Sequence, residues 1–164
     1  MYGNLLDFPF GINAIAHSCN TLNVMGAGIA KQIADRYPSA YEADTLAHRR
    51  HENNLGEYSY AKVNVGEGNS YPHQQFGLSD RRCEIYNLYT QKNVGHGKQV
   101  SYDALYDAFQ KLRAECDDST VLGLPHGISC GLAGGDWSVV LAMINSVFVS
   151  SLMPSKTYIV KYEI

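Results

Sequence analysis

The sequence predicts an α/β fold in which helices cover both faces of a mixed or mostly parallel sheet. Short apolar segments alternate along the chain with amphipathic segments of helical period, and no repeat or linker interrupts them. Of the 164 residues, 45% are hydrophobic and 18% charged, an ordinary globular composition. Alternating elements of this kind are typical of layered α/β domains. The length suffices for one core, so we expect residues 1–164 to form a single domain.

Five segments have the pattern of strands. They are residues 12–17, 57–65, 84–89, 120–124 and 157–162. The first and fourth (INAIAH and TVLGL) are short continuous apolar runs, as buried parallel strands are. The second alternates in part between apolar and polar residues, and the third is apolar and aromatic. We therefore expect a sheet built around the first and fourth segments.

Four segments have helical spacing. They are residues 26–37, 40–50, 101–116 and 136–150. In the first, Ile29, Ile33 and Tyr37 stand four apart, and Pro38 limits the helix. Ser101 is a residue type that caps helix N-termini, so it predicts the start of the third helix.

Composition and charge exclude several classes of function. The formal net charge is −3 and the isoelectric point about 6.0, so nothing suggests a surface for duplex DNA. No apolar run approaches the ~18 residues that span a bilayer, and no signal-peptide pattern is visible. The four cysteines form no C-x-x-C pair, which argues against zinc. We expect a cytoplasmic protein with free thiols, no metal and no cofactor.

The first of two glycine-rich loops spans residues 20–28, between a strand and a helix. Ligands of such sheets bind outside the carboxyl ends of strands. The run Gly26-Ala27-Gly28 lets a ligand approach the backbone, and free helix amides attract anions, so a diphosphate fits. A tight turn without a ligand is an alternative. A dinucleotide-binding turn is another, but Lys31 stands where its third glycine belongs, and its ribose-binding acid is missing.

The second loop spans residues 125–135, after the fourth predicted strand. Residues 123–135 include five glycines, at 123, 127, 131, 134 and 135. Because each glycine loses conformational entropy on folding, this density indicates a backbone that curls around a ligand. Asp136 is suited to cap the following helix, and Trp137 to anchor it in the core.

Long motifs in these two regions resemble the macrodomain family. The runs NAIAHSCN…MGAGIAKQIADRYPSAY and LPHGISCGLAGGDW carry the resemblance, together with GNLL at residues 3–6 and TQK at 90–92. The resemblance is greater to the branch of the yeast ADP-ribose 1″-phosphate phosphatase and the human terminal ADP-ribose protein glycohydrolase. It implies a three-layer α/β/α sandwich with a six- or seven-stranded mixed sheet, whose first strand is short or missing here.

The resemblance also implies a ligand, ADP-ribose or a derivative, and the residues that hold it. Asn4 stands where the family often has an aspartate that accepts from the adenine amino group. Leu5 would supply a backbone contact to adenine, and Tyr162 would flank the ring. Lys92 is a further expected ligand contact. The diphosphate, phosphates and distal ribose would be held by Met25, Gly26, Ala27, Gly28, Ile29, Ser129, Cys130, Gly131 and Leu132.

His17, Asn20 and Asp136 are the catalytic candidates. The resemblance implies that His17 and Asn20 face the distal ribose, where histidine can act as acid or base; a structural histidine is the alternative. The glycohydrolase's lysine and acid correspond to Gln91 and Ala133, so its lysine mechanism is not expected. Asp136 could replace the acid if the loop curls inward, or simply cap the helix. His126, Cys19 and Cys130 are weaker candidates, since none has an evident partner.

Two functions of different class follow from this sequence. The favoured one is metal-independent hydrolysis at the distal-ribose 1″ position, removing a phosphate or cleaving an ADP-ribosyl ester. The alternative is a non-catalytic module, a reader or sponge that binds ADP-ribose, ADP-ribosylated protein or modified nucleic acid. A nicotinamide-dependent oxidoreductase is a weaker third. No membrane partner is expected, and residues 64–80 are expected to form a surface excursion.

Overall fold

The computed structural model describes residues 1–66, 81–95, 97–149 and 155–162. A short 3-10 helix occupies Leu5–Asp7. Strands are β1 Ala14–Asn20, β2 Tyr58–Val65, β3 Arg81–Gln91, β4 Val121–Pro125 and β5 Lys156–Val160. Helices are α1 Gly28–Arg36, α2 Pro38–Arg49, α3 Tyr102–Glu115 and α4 Trp137–Phe148. The predicted α/β class and all nine predicted elements are confirmed. Most of the expected surface excursion, residues 67–80, lies outside the described residues.

The strands form one mixed sheet in the order β2-β3-β1-β4-β5. Only β2, paired with β3, is antiparallel; the other pairs are parallel. The described part therefore holds five strands rather than the six or seven expected. The first strand is reduced to a parallel bridge between Tyr2 and Lys161, held by Gly3 N–H donating to Lys161 O at 3.0 Å.

Helices cover the two faces in pairs, with a core on each side of the sheet. Leu105, Phe109 and Ile144 of α3 and α4 pack on one face against β1, β3 and β4. Ile33 of α1, with Tyr37 just after it, packs on the other against the same sheet. Leu122 and Ile15 point to opposite faces and are fully buried. The central strands therefore have apolar residues on both faces, as parallel strands do.

Local chemistry sets where the helices begin. Pro38 follows the end of α1 and occupies the first position of α2, where its missing N–H would have no partner. Ser101 caps α3 by accepting from the Ala104 N–H, and Asp136 caps α4 by accepting from the Ser138 N–H. Each cap is worth about 1 kcal/mol. The predicted caps Ser101 and Asp136 are confirmed, and Pro38 limits the first helix as predicted, but the second helix begins at Pro38 rather than at residue 40.

None of the helices in the described ranges is long and apolar enough to cross a membrane.

Candidate functional site

A cleft of about 860 Å³ opens at the carboxyl edge of the sheet. It is lined by residues that end β1, β3, β4 and β5 and by the loops after β1 and β4. The chain passes from β1 to α1 on one face and from β4 to α4 on the other. Loops that diverge in this way leave a crevice between neighbouring strand ends, which is where α/β sheets bind ligands.

One wall of the cleft is the N-terminus of α1. Ala27, at the N-cap, has extended backbone and no side-chain bond to the helix amides. Gly28 begins the helix with φ of +58°, a left-handed conformation that favours glycine. Gly28, Ile29 and Ala30 line the cleft, and first-turn N–H groups have no partner inside a helix. This wall offers partial positive charge to an anion.

The opposite wall is the loop after β4. Ser129 has φ of +64°, unusual for a residue with a side chain. Its hydroxyl forms a short hydrogen bond with the Ser18 hydroxyl, and its carbonyl accepts from Gly135 N–H at 2.9 Å. A Cβ on Gly135 would lie 2.6 Å from that carbonyl oxygen. Glycine at this position therefore lets the loop fold back on itself.

One end of the cleft lies beside the 3-10 helix. Asn4 caps this helix, its Oδ1 accepting from Leu6 N–H at 3.0 Å. Leu5 and Val160 are buried there, whereas Tyr162 is 63% exposed and lines the cleft. An apolar slot with one aromatic ring and one amide suits a planar heteroaromatic group.

Most of the predicted ligand-binding residues line the cleft, and Asn20 does so as well. They are Asn4, Leu5, Gly26, Ala27, Gly28, Ile29, Ser129, Gly131, Leu132 and Tyr162. Three others do not. Met25 is buried against Cys19 and Tyr89, Lys92 is exposed outside the lining, and the Cys130 thiol donates to the Ile128 carbonyl at 3.3 Å. The loops thus contribute mainly small residues and backbone.

His17 is placed in the interior and not on the cleft wall. Its ring is fully buried, and Nε2 lies 2.7 Å from Asn87 Oδ1. Burial lowers the pKa of the His17 imidazole to about 4, and the bond to Asn87 only partly opposes this. The ring is therefore neutral at pH 7. The structure differs here from the expectation that His17 faces the ligand, because residues alternate along β1 and Ser18 takes the side that faces the loop after β4.

The histidine belongs to a hydrogen-bonded network between the sheet and α2. Asn87 donates to the Ala40 carbonyl at 2.9 Å and to Ser59 at 3.0 Å, and Tyr89 donates to Asp44 at 2.8 Å. Ser59 and Tyr89 share a 2.7 Å bond. Burial raises the pKa of the Asp44 carboxyl, and the bond from Tyr89 opposes the rise. These bonds satisfy polar groups that would otherwise destabilise the core.

Asn20 lies in the lining, but its amide is occupied by its own loop. It donates to the Val24 carbonyl at 2.8 Å and accepts from the N–H groups of Leu22 at 3.0 Å and Val24 at 3.3 Å. Asp136 is absent from the lining, and hydrogen bonds from Ser138 hold the pKa of its carboxyl below the usual value. In this geometry Asn20 orders the loop that follows β1, and Asp136 caps α4.

Several lining residues were not predicted as site residues. Ser18 lies within the His17–Asn20 run, Gln91 ends β3 and Gly95 follows it. His126, a weaker candidate above, also lines the cleft, and its ring is tilted against that of Trp137 with the centroids 4.7 Å apart. The position of Ser18, Gln91 and Gly95 at or just after the carboxyl end of a parallel strand is the signal that could have found them. Among the described residues that line the cleft, none is Asp, Glu, Lys or Arg. The described ranges also hold no cluster of three His, Cys, Asp or Glu side chains suited to a metal.

Several similar solved structures are macrodomains. The Mycobacterium tuberculosis DarG macrodomain is 24% identical with a TM-score of 0.72, covering 100% of this chain and 98% of that one. Thermosipho africanus DarTG, solved with ADP-ribose, is 16% identical with a TM-score of 0.71, covering 94% of this chain and 39% of its own. A Streptomyces coelicolor macrodomain protein is 26% identical with a TM-score of 0.59, covering 94% and 89%. This chain has the macrodomain fold.

Sequence comparison adds one relative of unknown role. An uncharacterised 17.5 kDa protein of Enterobacteria phage T4 is 27% identical over 137 residues, which are 80% of this chain and 77% of that protein. No family model matches the chain. The resemblance to the yeast and human branch stays a prediction.

Proposed function

We propose that this chain binds ADP-ribose, or a derivative of it, in the cleft at the carboxyl edge of the sheet. The observation that supports this most is the N-terminus of α1, which has no side-chain cap and faces a glycine-rich loop across the cleft. A diphosphate can accept hydrogen bonds from both walls. The similar fold of DarTG, which was solved with ADP-ribose, supports the same ligand.

The cleft has the size and polarity for such a ligand. Its volume of about 860 Å³ is in the range of pockets that hold whole cofactors. The apolar end near Leu5 and Tyr162 would hold the base, and α1 with residues 129–132 would hold the phosphates. Asn20 and Ser18 would lie nearer the distal ribose.

Binding without turnover is the function that this geometry supports best. Hydrolysis needs an acid or base within hydrogen-bond reach of the reacting atoms. His17 is buried behind the strand, Asp136 caps α4, and Asn20 holds its own loop. A reader or sponge needs only the cleft, and free ADP-ribose, ADP-ribosylated protein or modified nucleic acid are its candidate partners.

Hydrolysis at the 1″ position, releasing phosphate or cleaving an ADP-ribosyl ester, is the second candidate. It is supported by Asn20 and the Ser18–Ser129 hydroxyl pair, which lie in the lining and could place a water molecule beside a bound ribose. The attacking water would need a proton acceptor, and His126 is the one histidine among the described lining residues.

Calorimetric titration with ADP-ribose, and with adenosine as the control lacking phosphates, tests the proposal. We expect binding of ADP-ribose and at least tenfold weaker binding of adenosine, about 1.4 kcal/mol. No binding of ADP-ribose would contradict the proposed function. The same samples are then given ADP-ribose 1″-phosphate and an ester-linked ADP-ribosyl peptide. Release of phosphate or of free ADP-ribose would replace the binding module with the hydrolase, and no release would support the binding module.

A further inference from the structure

We propose that the cleft accepts an adenine nucleotide with an additional phosphate on the ribose next to the base. His126 and Lys161, which follow the ends of β4 and β5, would bind this phosphate as a basic corner. The inference rests on the proposed function, since it assumes that a nucleotide lies in the cleft, and it names the class of that nucleotide.

The cleft runs across the strand ends in the order of the sheet. Tyr162, beyond β5, lines one end of it, and Gln91, which ends β3, lines the other. His126 follows β4, the neighbour of β5, and precedes residues 129–132, which would hold the diphosphate. The ribose of a nucleotide joins its base to its phosphates. His126 therefore lies beside the place of the ribose that carries the base.

Two contacts hold His126 in this position. Its backbone N–H donates to the Val160 carbonyl at 2.9 Å, and its ring is tilted against that of Trp137 with the centroids 4.7 Å apart. The residue is exposed, and its ring nitrogens have no hydrogen-bond partner among the described residues. An imidazole N–H is thus available to an oxygen acceptor on a ligand.

The register of β4 and β5 brings Lys161 next to His126. Pro125 pairs with Val160 in parallel, so the residues that follow them lie side by side, and Lys161 continues its strand in a parallel bridge. Val160 packs into the core on the α1 face. Alternation along the strand therefore puts the Lys161 side chain on the other face, where His126 meets Trp137. Lys161 is exposed and forms no ion pair with a described residue.

The charge and position of this corner suit a phosphate that protrudes from the cleft. Asp136 precedes Trp137, but its carboxylate accepts from the N–H and the hydroxyl of Ser138, at 2.8 and 2.6 Å. Lys161 lies outside the cleft lining, whereas His126 is part of it. A phosphate ester on the ribose reaches past the lining and pairs with both, by charge-assisted hydrogen bonds. ADP-ribose itself has no phosphate at this place.

Lys161→Met and Lys156→Met are a matched pair of variants. Each removes one positive charge and keeps an unbranched side chain at an exposed position. Lys156 begins β5, so at about 3.3 Å per residue it lies about 16 Å from Lys161. The two variants have the same net charge, but only K161M alters the basic corner. His126→Leu removes the other member of the corner.

The experiment is calorimetric titration with ADP, ADP 2′-phosphate, ADP 3′-phosphate and ADP-ribose. We expect the unaltered chain and K156M to bind one of the two phosphorylated derivatives at least about fivefold more tightly than ADP. K161M and H126L should bind that derivative less than about twofold more tightly than ADP. The derivative that is preferred identifies the ribose hydroxyl, 2′ or 3′, that carries the phosphate.

Three results would overturn this inference. They are equal binding of ADP and both derivatives, a preference that K161M or H126L retains in full, and a preference that K156M loses as well. Measurable binding of ADP-ribose would in each case leave the proposed function standing. If none of the four ligands binds the unaltered chain, both proposals fail.

Discussion

At the scale of single residues, two polar side chains of β1 that are catalytic candidates form hydrogen bonds within the fold. His17 and Asn20 occur in one short run, His-Ser-Cys-Asn, and yet point to different surroundings. The His17 ring is enclosed with Asn87 and Cys19, whereas Asn20 lies in the cleft lining and ties residues 20–24 together. Burial therefore keeps the His17 imidazole neutral, as a hydrogen-bond partner of Asn87.

The buried imidazole predicts a specific loss of stability in acid. The pKa of His17 is about 4 in the fold against 6.5 in the unfolded chain. Below pH 6.5 the unfolded chain binds a proton that the folded chain does not, so stability falls with pH until about pH 4. The contribution of His17 is about 3 kcal/mol over this window.

His17→Gln tests this prediction, because glutamine can still donate to Asn87 but does not titrate. Urea unfolding at pH 7 and pH 4.5 should show a smaller drop in the free energy of unfolding for the variant. Carboxylates titrate in both proteins and cancel in the comparison. An equal drop in both would contradict the assignment of this acid sensitivity to His17.

At the scale of elements, the start of α1 is built so that its amides stay available. A serine or aspartate at its N-cap would occupy them, as Ser101 and Asp136 do in α3 and α4. Ala27 cannot, and its backbone is already extended as a cap requires. Without a side-chain cap α1 is less stable, but its first N–H groups stay available to a ligand in the cleft. Functional sites often give up local stability in this way.

The Ala27→Asp substitution should therefore raise the stability of the protein and weaken its binding of ADP-ribose. The new carboxylate should cap α1 and stabilise the protein by up to about 1 kcal/mol. It should also repel a diphosphate, weakening ADP-ribose binding by tenfold or more. Ala27→Asn is the matched neutral control, which should cap the helix and lose less affinity. Thermal melts and calorimetry report the two effects, and unchanged ADP-ribose affinity in A27D would place the phosphates elsewhere.

The loop after β4 predicts a contrast between two of its glycines. Gly135→Ala would force a Cβ to within 2.6 Å of the Ser129 carbonyl oxygen, whereas at Gly131 no atom lies within 4 Å of an added Cβ. Overpacking against backbone is destabilising by about 1–3 kcal/mol. We expect that loss of unfolding free energy for G135A and less than about 0.5 kcal/mol for G131A. Similar values for both would show that the loop does not depend on the close approach.

At the scale of the whole molecule, the sheet brings neutral surfaces together where a charged ligand is expected. The described residues that line the cleft include no formally charged side chain, and the chain as a whole carries −3. Backbone dipoles therefore have to supply the attraction for a diphosphate. Such short-range hydrogen bonds are less sensitive to salt than pairing with lysine or arginine.

Salt should accordingly affect binding only weakly. Between about 50 and 500 mM NaCl we expect the affinity for ADP-ribose to change by less than about threefold, because no ion pair is broken. Calorimetric titrations at both concentrations measure this. A steep fall in affinity with salt would indicate that a cationic side chain contacts the phosphates.

Much of the fold could be predicted because it depends on local patterns. Apolar runs such as residues 120–124 and the spacing of Ile29, Ile33 and Tyr37 indicate strands and helices directly. Caps at Ser101 and Asp136 located two helix starts to within one residue. The glycines of residues 123–135 indicated a loop with a special backbone, and the resemblance implied the layers and the mixed sheet.

The sequence by itself determined the α/β class, the elements and the two loops, since periodicity, capping and glycine content act over a few residues. Only the tertiary structure decided which side chains reach the cleft. In the fold His17 is buried, and the Asn20 amide is bonded within its own loop. The first turn of α1 has no side-chain cap, and the Asn4 side-chain carbonyl accepts from Leu6 N–H. Strand alternation, burial and bonds between distant residues set these outcomes, because they depend on what packs against each side chain.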